Sequence, residues 1–163
     1  MAVDLDLAKL HLRLDTADED SLVSVYLTAA QAWVENYTEK ALTRGAVTQA
    51  EARFGSYITL NRGPAPTDVS IAYTDTDGEE QTISDASIVG PRVYYLGGWP
   101  SHENGTEIIV SYTAGFSETP GDLDAAVLLL VGDFYANREA GTATPAVTMA
   151  VEALCRPYRS VRV

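Results

Sequence analysis

Apolar residues recur every three or four positions near both ends of the chain and every second position in its middle, so the pattern divides the sequence into helical, β-rich and helical stretches. Between Asp4 and Leu14 the leucines at 5, 7, 10, 12 and 14 mix the two periods, and a short helix suits them best. Thr16-Ala-Asp-Glu19 has the form of a capping box, in which a hydroxyl and a carboxylate satisfy each other's orphan amides. It predicts the start of a long amphipathic helix, about 30 Å at 1.5 Å per residue. One row of that helix carries Leu22, Val25, Tyr26, Ala29, Ala30, Trp33 and Tyr37, and a second carries Val23, Leu27 and Val34. A stripe this wide predicts cover on two sides.

From Val47 to Thr113 short β-rich runs alternate with turn residues. Val69, Ile71 and Tyr73 are spaced by two, Thr74-Asp-Thr-Asp-Gly78-Glu supplies an Asp-Gly turn, and Gln81-Thr-Ile83 follows, which predicts a hairpin. Ile108, Val110 and Tyr112 alternate with Ile109, Ser111 and Thr113, a strand with both faces partly covered. Gly63-Pro-Ala-Pro66 and Gly97-Gly-Trp-Pro100 read as turns. Helical spacing resumes at Thr119-Pro120-Gly-Asp122, an N-cap hydroxyl, a proline at N1 and an acid at N3. Ala125 to Val131 is apolar on every side and belongs at the centre of a core. Within that helix Gly132 costs about 1 kcal/mol relative to Ala, which predicts the close approach of another backbone. A last helix opens at Thr144-Pro145, carries Val147, Ala150, Val151 and Leu154, and ends before Pro157. The fold class expected is α+β, one domain over 1–163. Its helical parts, 1–46 and 117–163, form a bundle, with a β-rich insertion over about 47–116.

Composition narrows the function. A chain of 163 residues buries roughly 70% of its extended surface on folding and needs no staples. Its single cysteine, Cys155, excludes an intrachain disulfide framework and a Cys-based zinc site and suits a reducing compartment. The longest apolar run, Ala125 to Val131, falls far short of the ~20 residues of a bilayer span. Met1-Ala-Val-Asp-Leu-Asp lacks the basic and apolar regions of a signal peptide, so synthesis and retention in the cytoplasm are expected. The net charge of −12 argues against a general nucleic-acid binder, which neutralises phosphates with clustered Lys and Arg. That charge is uneven: residues 1–137 carry 7 basic and 21 acidic side chains, whereas 138–163 carry four arginines against two acids. The ending Arg156-Pro-Tyr-Arg-Ser-Val-Arg-Val reads as a docking arm in which Arg156, Tyr158, Arg159 and Arg162 are the candidate contacts.

The chain holds none of the usual nucleophile-elbow, phosphate-loop, dinucleotide or HExxH motifs. His11 and His102 stand alone, so no metal or catalytic residue is assigned and no cofactor is expected. Asp75-Thr-Asp77-Gly78-Glu79-Glu80 lacks the later ligands of a calcium loop and reads as a hairpin turn. Asp4 with Asp6, and Asp122 with Asp124, suit helix N-termini without any chemistry. Cys155 has no partner base and reads as a packed thiol, while Trp33 and Tyr37 read as core. Tyr94, Tyr95 and Trp99 cluster near a glycine turn as a candidate exposed contact patch. The chain is therefore read as a binding or structural protein.

Several stretches, taken in order, resemble the phage head–tail connector (adaptor) proteins. They are Leu7-Ala-Lys-Leu-His-Leu-Arg-Leu-Asp15, Glu19 to Thr38, Val69 to Gly78, Ile108 to Gly115, Pro120 to Val131, Tyr135-Ala-Asn-Arg-Glu139 and Leu154-Cys-Arg-Pro-Tyr-Arg159. The resemblance spans nearly the whole chain, although Thr119 and Gly121 depart from the larger or apolar residues common before and after the proline. It implies a non-enzymatic virion part of long-tailed double-stranded DNA phages or of gene transfer agents, made in the host cytoplasm and residing at the head–tail junction. Such proteins form a ring, commonly of twelve, beneath the portal protein, receive the head-completion stopper or tail protein, and continue the DNA channel. The family fold is a helical bundle, and longer members carry a β insertion.

Double-stranded DNA must slide through such a ring, and each neutralised phosphate would add affinity that holds it. An acidic body suits a lumen that DNA passes without specific binding, and the basic arm suits docking on the portal through arginine–carboxylate contacts. The rival reading is an acidic DNA mimic that inhibits a DNA-binding enzyme. It requires carboxylates arrayed like phosphates, whereas the acids here are dispersed among caps and turns.

Overall fold

A computed structural model describes residues 3–139 and 144–159. The described elements are α1 (Leu5–Leu12), α2 (Asp20–Thr38), β1 (Gly45–Glu51), β2 (Ile58–Thr59), β3 (Thr67–Thr74), β4 (Glu80–Ile83), β5 (Ser87–Val89), β6 (Arg92–Tyr94), β7 (Ile108–Ala114), α3 (Gly121–Ala136) and α4 (Pro145–Cys155). A 3-10 turn, Arg156–Tyr158, follows. The fold is mixed α+β. Residues up to Thr43 and those from Ser117 onward form one compact unit, and Arg44–Phe116 form another. The division falls before the expected 46/47 boundary because β1 pairs with β7 from Gly45 onward and Arg44 bonds Ala65 and Thr67.

In the helical unit, α3 buries Leu123, Ala126, Val127, Leu130 and Val131 beneath α1, α2 and α4. Both α2 and α4 run antiparallel to it. Tyr26 of α2 lies 6.2 Å from Phe134 between ring centroids, and Thr144, just before α4, donates from its amide to Asp133 Oδ2 at 2.8 Å. On α2 the buried row is Val23, Leu27, Ala30, Val34 and Thr38, whereas Val25 is 63% exposed. The second row of the sequence pattern and Ala30 of the first are thus buried, whereas Leu22, Tyr26, Trp33 and Tyr37 of the first are half-buried and Val25 and Ala29 are exposed.

Two expected caps are replaced. α2 starts at Asp20, and Glu19 makes no side-chain cap because its carboxylate is engaged by α3. α3 starts after Pro120, and the hydroxyl of buried Thr119 donates to Leu42 O at 3.0 Å. Asp4 does cap α1, accepting from Leu7 N at 2.9 Å. The close neighbour of Gly132 is a side chain, not a backbone. A Cβ there would lie 3.2 Å from His11 Nε2.

The β unit holds an antiparallel sheet in the order β1-β7-β3-β4 and a smaller one in the order β2-β6-β5. Every second residue of β7, from Ile108 to Ala114, is buried and the residues between are half-buried, as the alternation predicts. β3 and β4 form the expected hairpin. At its turn Asp75 Oδ1 accepts from the amides of Asp77 and Glu79 at 2.9 and 3.0 Å, and Gly78 takes φ +84°. Those amides hold the Asp75 carboxyl below its ordinary value. Buried Gln49 ties β1 to the next segment, donating to Thr59 O at 2.9 Å and accepting from Asn61 N at 2.9 Å and Tyr112 OH at 3.2 Å.

Two stability measurements test this packing. Leu130→Ala lowers the free energy of unfolding by about 2–5 kcal/mol in denaturant titration, because Leu130 is fully buried on the covered face of α3. Gly132→Ala raises it, by up to about 1 kcal/mol, because exposed His11 can swing aside while the helix gains a better former; a loss of stability would mean that the imidazole is fixed.

Candidate functional site

The expected docking arm leaves the helical unit at the end of α4, and its root is fastened there. Tyr158 OH donates to Asp122 Oδ2 at 3.2 Å, and the Arg159 guanidinium lies 5.4 Å from the centroid of the Tyr37 ring, which stacks on Trp33 at 5.1 Å. Burial and this carboxylate both push the Tyr158 hydroxyl above its ordinary value. Arg156 is exposed, and Arg162 lies outside the described residues. The structure therefore brings Tyr158 and Arg159 together with Asp122 and Tyr37, a relation that charge counting does not reveal.

Tyr94, Tyr95 and Trp99 are half-buried, which corrects the expectation that they are exposed. The cause is Phe54, distant in sequence, which stacks on Trp99 at 4.9 Å and meets Tyr73 edge-on at 5.5 Å. Tyr95 lies 5.8 Å from Trp99, Tyr94 lies 5.8 Å from Tyr57, and Arg92 covers the Tyr57 ring at 4.3 Å. The exposed large apolar residue of that loop is Leu96, at 92%, held between the anchored Tyr95 and two exposed glycines.

The remaining polar clusters staple helices. Glu19 accepts from Tyr135 OH and from Arg138 Nη2, the latter at 2.7 Å, and these bonds, led by Tyr135, hold its carboxyl below the usual 4.5. Buried Asp133 accepts from the Thr144 amide and, at 2.9 Å, from its hydroxyl, which fixes the start of α4. Asp122 and Asp124 do not act as a pair: Asp122 meets Tyr158, while burial raises half-buried Asp124. His11 sits beside Gly132, and His102 lies edge-on to Phe54 at 5.4 Å. Among the described residues no three His, Cys, Asp or Glu side chains gather where they could hold a metal. Burial pushes the Cys155 thiol up to about 11.

Sequence reasoning missed that Leu10, at 74%, and Met149, at 73%, are the most exposed of the large apolar residues described in the helical unit. Both fit an apolar period, and period alone does not tell which side of a short helix is covered.

Residues 2–90 match the profile of the phage gp6-like head–tail connector proteins. Among solved structures, the chain is similar to one in the neck of an empty gene transfer agent particle computed with C6 symmetry, at 33% identity and a TM-score of 0.81, covering 99% of this chain and 91% of that one. A chain in the virion of a native gene transfer agent particle is 31% identical with a TM-score of 0.78, over 99% of this chain and 91% of that one. A third, in the neck of a native particle computed with C12 symmetry, is 30% identical with a TM-score of 0.75, over 100% and 94%. No curated protein matches the chain.

Two solution measurements check the local chemistry. Cys155 stays unreactive toward maleimide at pH 7.5 in the folded protein, a value chosen about three units below its raised pKa, and reacts when the chain is unfolded. Because the folded Glu19 carboxyl is depressed, its charge stabilises above the unfolded pKa and that contribution is lost as pH falls through the folded one. Glu19→Gln is accordingly less stable than the parent near neutral pH, and the gap closes as pH drops below the ordinary 4.5.

Proposed function

Since the chain belongs to the phage gp6-like head–tail connector family, a virion component of the head–tail junction, we propose that it forms a ring beneath the portal protein, receives the stopper or tail protein below, and continues the channel for DNA. The observation that carries this reading is the likeness over 99% of the chain to a protein of a gene transfer agent neck. In this reading the helices from the two ends of the chain are the connector body, and the Arg44–Phe116 unit is an insertion into it. The role is structural rather than enzymatic.

Charge supports the same reading. A body with 23 acids against 11 bases does not grip phosphates, so DNA slides past it. A ring structure with a basic lumen would overturn this part. The basic C-terminal segment docks on the portal, with Tyr158 and Arg159 fastening its root to the body and Arg162 supplying charge at its end. Tyr94, Tyr95 and Trp99 support a second contact loop whose tip is Leu96.

Truncation after Arg159 tests the docking without disturbing the fastened root. Removal of one charge-assisted contact, about 1.5–3 kcal/mol, weakens binding to the purified portal at least about tenfold per copy. Undiminished binding would exclude the segment beyond Arg159 from the contact.

A further inference from the structure

We infer that neighbouring copies in the ring meet through α1 of one and α4 of the next, with Leu10 seated on the alanine face of α4 and Asp6 opposite Arg156. This rests on the ring reading above. The first ground is what a single copy leaves uncovered. Leu10 is 74% exposed and Met149 73% exposed, the two most open large apolar side chains among the described residues of the helical unit. Ala146, Met149, Ala150 and Ala153 are all exposed and recur at three and four, so they form one uncharged strip of α4, bordered on one side by exposed Glu152 and Arg156, in a chain with 23 acids.

The second ground is symmetry. A ring closed by rotation joins two different faces of each copy, never one face to itself. α1 and α4 provide two such faces, because each packs on α3 and each leaves its outer side open.

The third ground is direction and charge. α1 runs parallel to α3: the backbone of Val3 lies at Asp124, and His11 lies at Gly132. α4 runs antiparallel to α3, with Thr144 at Asp133 and Tyr158 at Asp122. Within one copy α1 and α4 are therefore antiparallel. Rotation by a sixth or a twelfth of a turn, the symmetries of the similar necks, changes that relation by no more than the rotation itself. In an antiparallel contact Asp6, near the start of α1, comes opposite Arg156, just past the end of α4, when Leu10 sits among Met149, Ala150 and Ala153. A parallel contact would bring Asp6 to the uncharged start of α4 instead.

The experiment uses the full chain assembled on purified portal. Buried Cys155 does not compete, so Leu10→Cys and Met149→Cys can be placed in one chain and oxidised after assembly. The result expected is a ladder of covalently linked copies, with melting temperature unchanged in the reduced monomer. Mixed single variants give linked pairs containing one of each. Asp6→Lys and Arg156→Glu each raise the protein concentration needed for ring formation about tenfold, and the two together restore it. Rings that form without a ladder, or that link instead when Val25→Cys on α2 is paired with Leu10→Cys or with Met149→Cys, would overturn the inference while leaving the ring reading in place. Failure of the unmodified chain to form a ring on the portal would overturn that reading and this inference with it.

Discussion

α3 is apolar on every side from Ala125 to Val131, and most of that surface is withdrawn from water: Ala126, Val127, Leu130 and Val131 are buried, while Ala125 and Leu129 stay on its open side. At roughly 25 cal/mol per Å² of apolar surface, covering it is a dominant favourable term of the helical unit. The cover comes from α1 and α2 at one end of the sequence and α4 at the other, so the chain must return after Phe116 to finish what it began before Thr43. The stretch between is then constrained only at its ends. Leu42 and Thr119 are hydrogen-bonded within the helical unit, and Gly45 and Ala114 are partners within the β unit. With both pairs of ends already adjacent, the length of what lies between adds little closure entropy, since that cost grows only with the logarithm of loop length. A β module of seventy-odd residues is thus compatible with a helical body that does not depend on it for its core.

Acidic side chains do more in this fold than set its net charge. Glu19 joins the start of α2 to the end of α3, Asp133 fixes the start of α4, Asp122 holds Tyr158, and Glu35 accepts from Leu42 N at 2.8 Å. Asp133 and Glu35 satisfy backbone amides, of Thr144 and Leu42, while Glu19 and Asp122 accept from side chains of other elements. Part of the acidity is therefore structural, and the remainder is distributed over exposed helix starts and hairpin turns rather than gathered in one array.

Periodicity in the sequence reveals the main helices, the β3–β4 hairpin and the β7 strand, because each is long enough to show its repeat. It does not reveal β2, β5 or β6, which are two or three residues long and lack a period to read. It also leaves the phase of α2 open: Val23, Leu27 and Val34 are buried, but half-buried Leu22, Tyr26 and Trp33 are apolar too. The cap motifs at Thr16 and Thr119 are local rules, and in both places a tertiary partner outcompetes them. The candidate contacts were legible in the same measure. Positive charge marks the C-terminal segment, but the fastening of Tyr158 and Arg159 depends on Asp122 and Tyr37, far away in sequence. The glycines mark the loop at Leu96, but Phe54 decides that Trp99 packs inward.

The net charge also constrains how copies come together. Bodies of −12 repel one another, and salt screens that repulsion only beyond about 8–10 Å. A ring contact must therefore act at short range, through apolar surface freed from water and a few matched charges, and it must keep acids out of its centre. The outer side of α4 meets that condition along the strip of Ala146, Met149, Ala150 and Ala153, with Glu152 kept to its border, and the outer face of α1 offers Leu10 with Asp6 beside it. Such a contact is small, without the broad apolar core of an obligate dimer. Repulsion then favours separate copies in free solution, whereas docking on a common partner raises their local concentration until the short-range contact prevails. Under the function proposed above, the same acidity that would leave DNA ungripped would also make ring closure depend on a common docking partner.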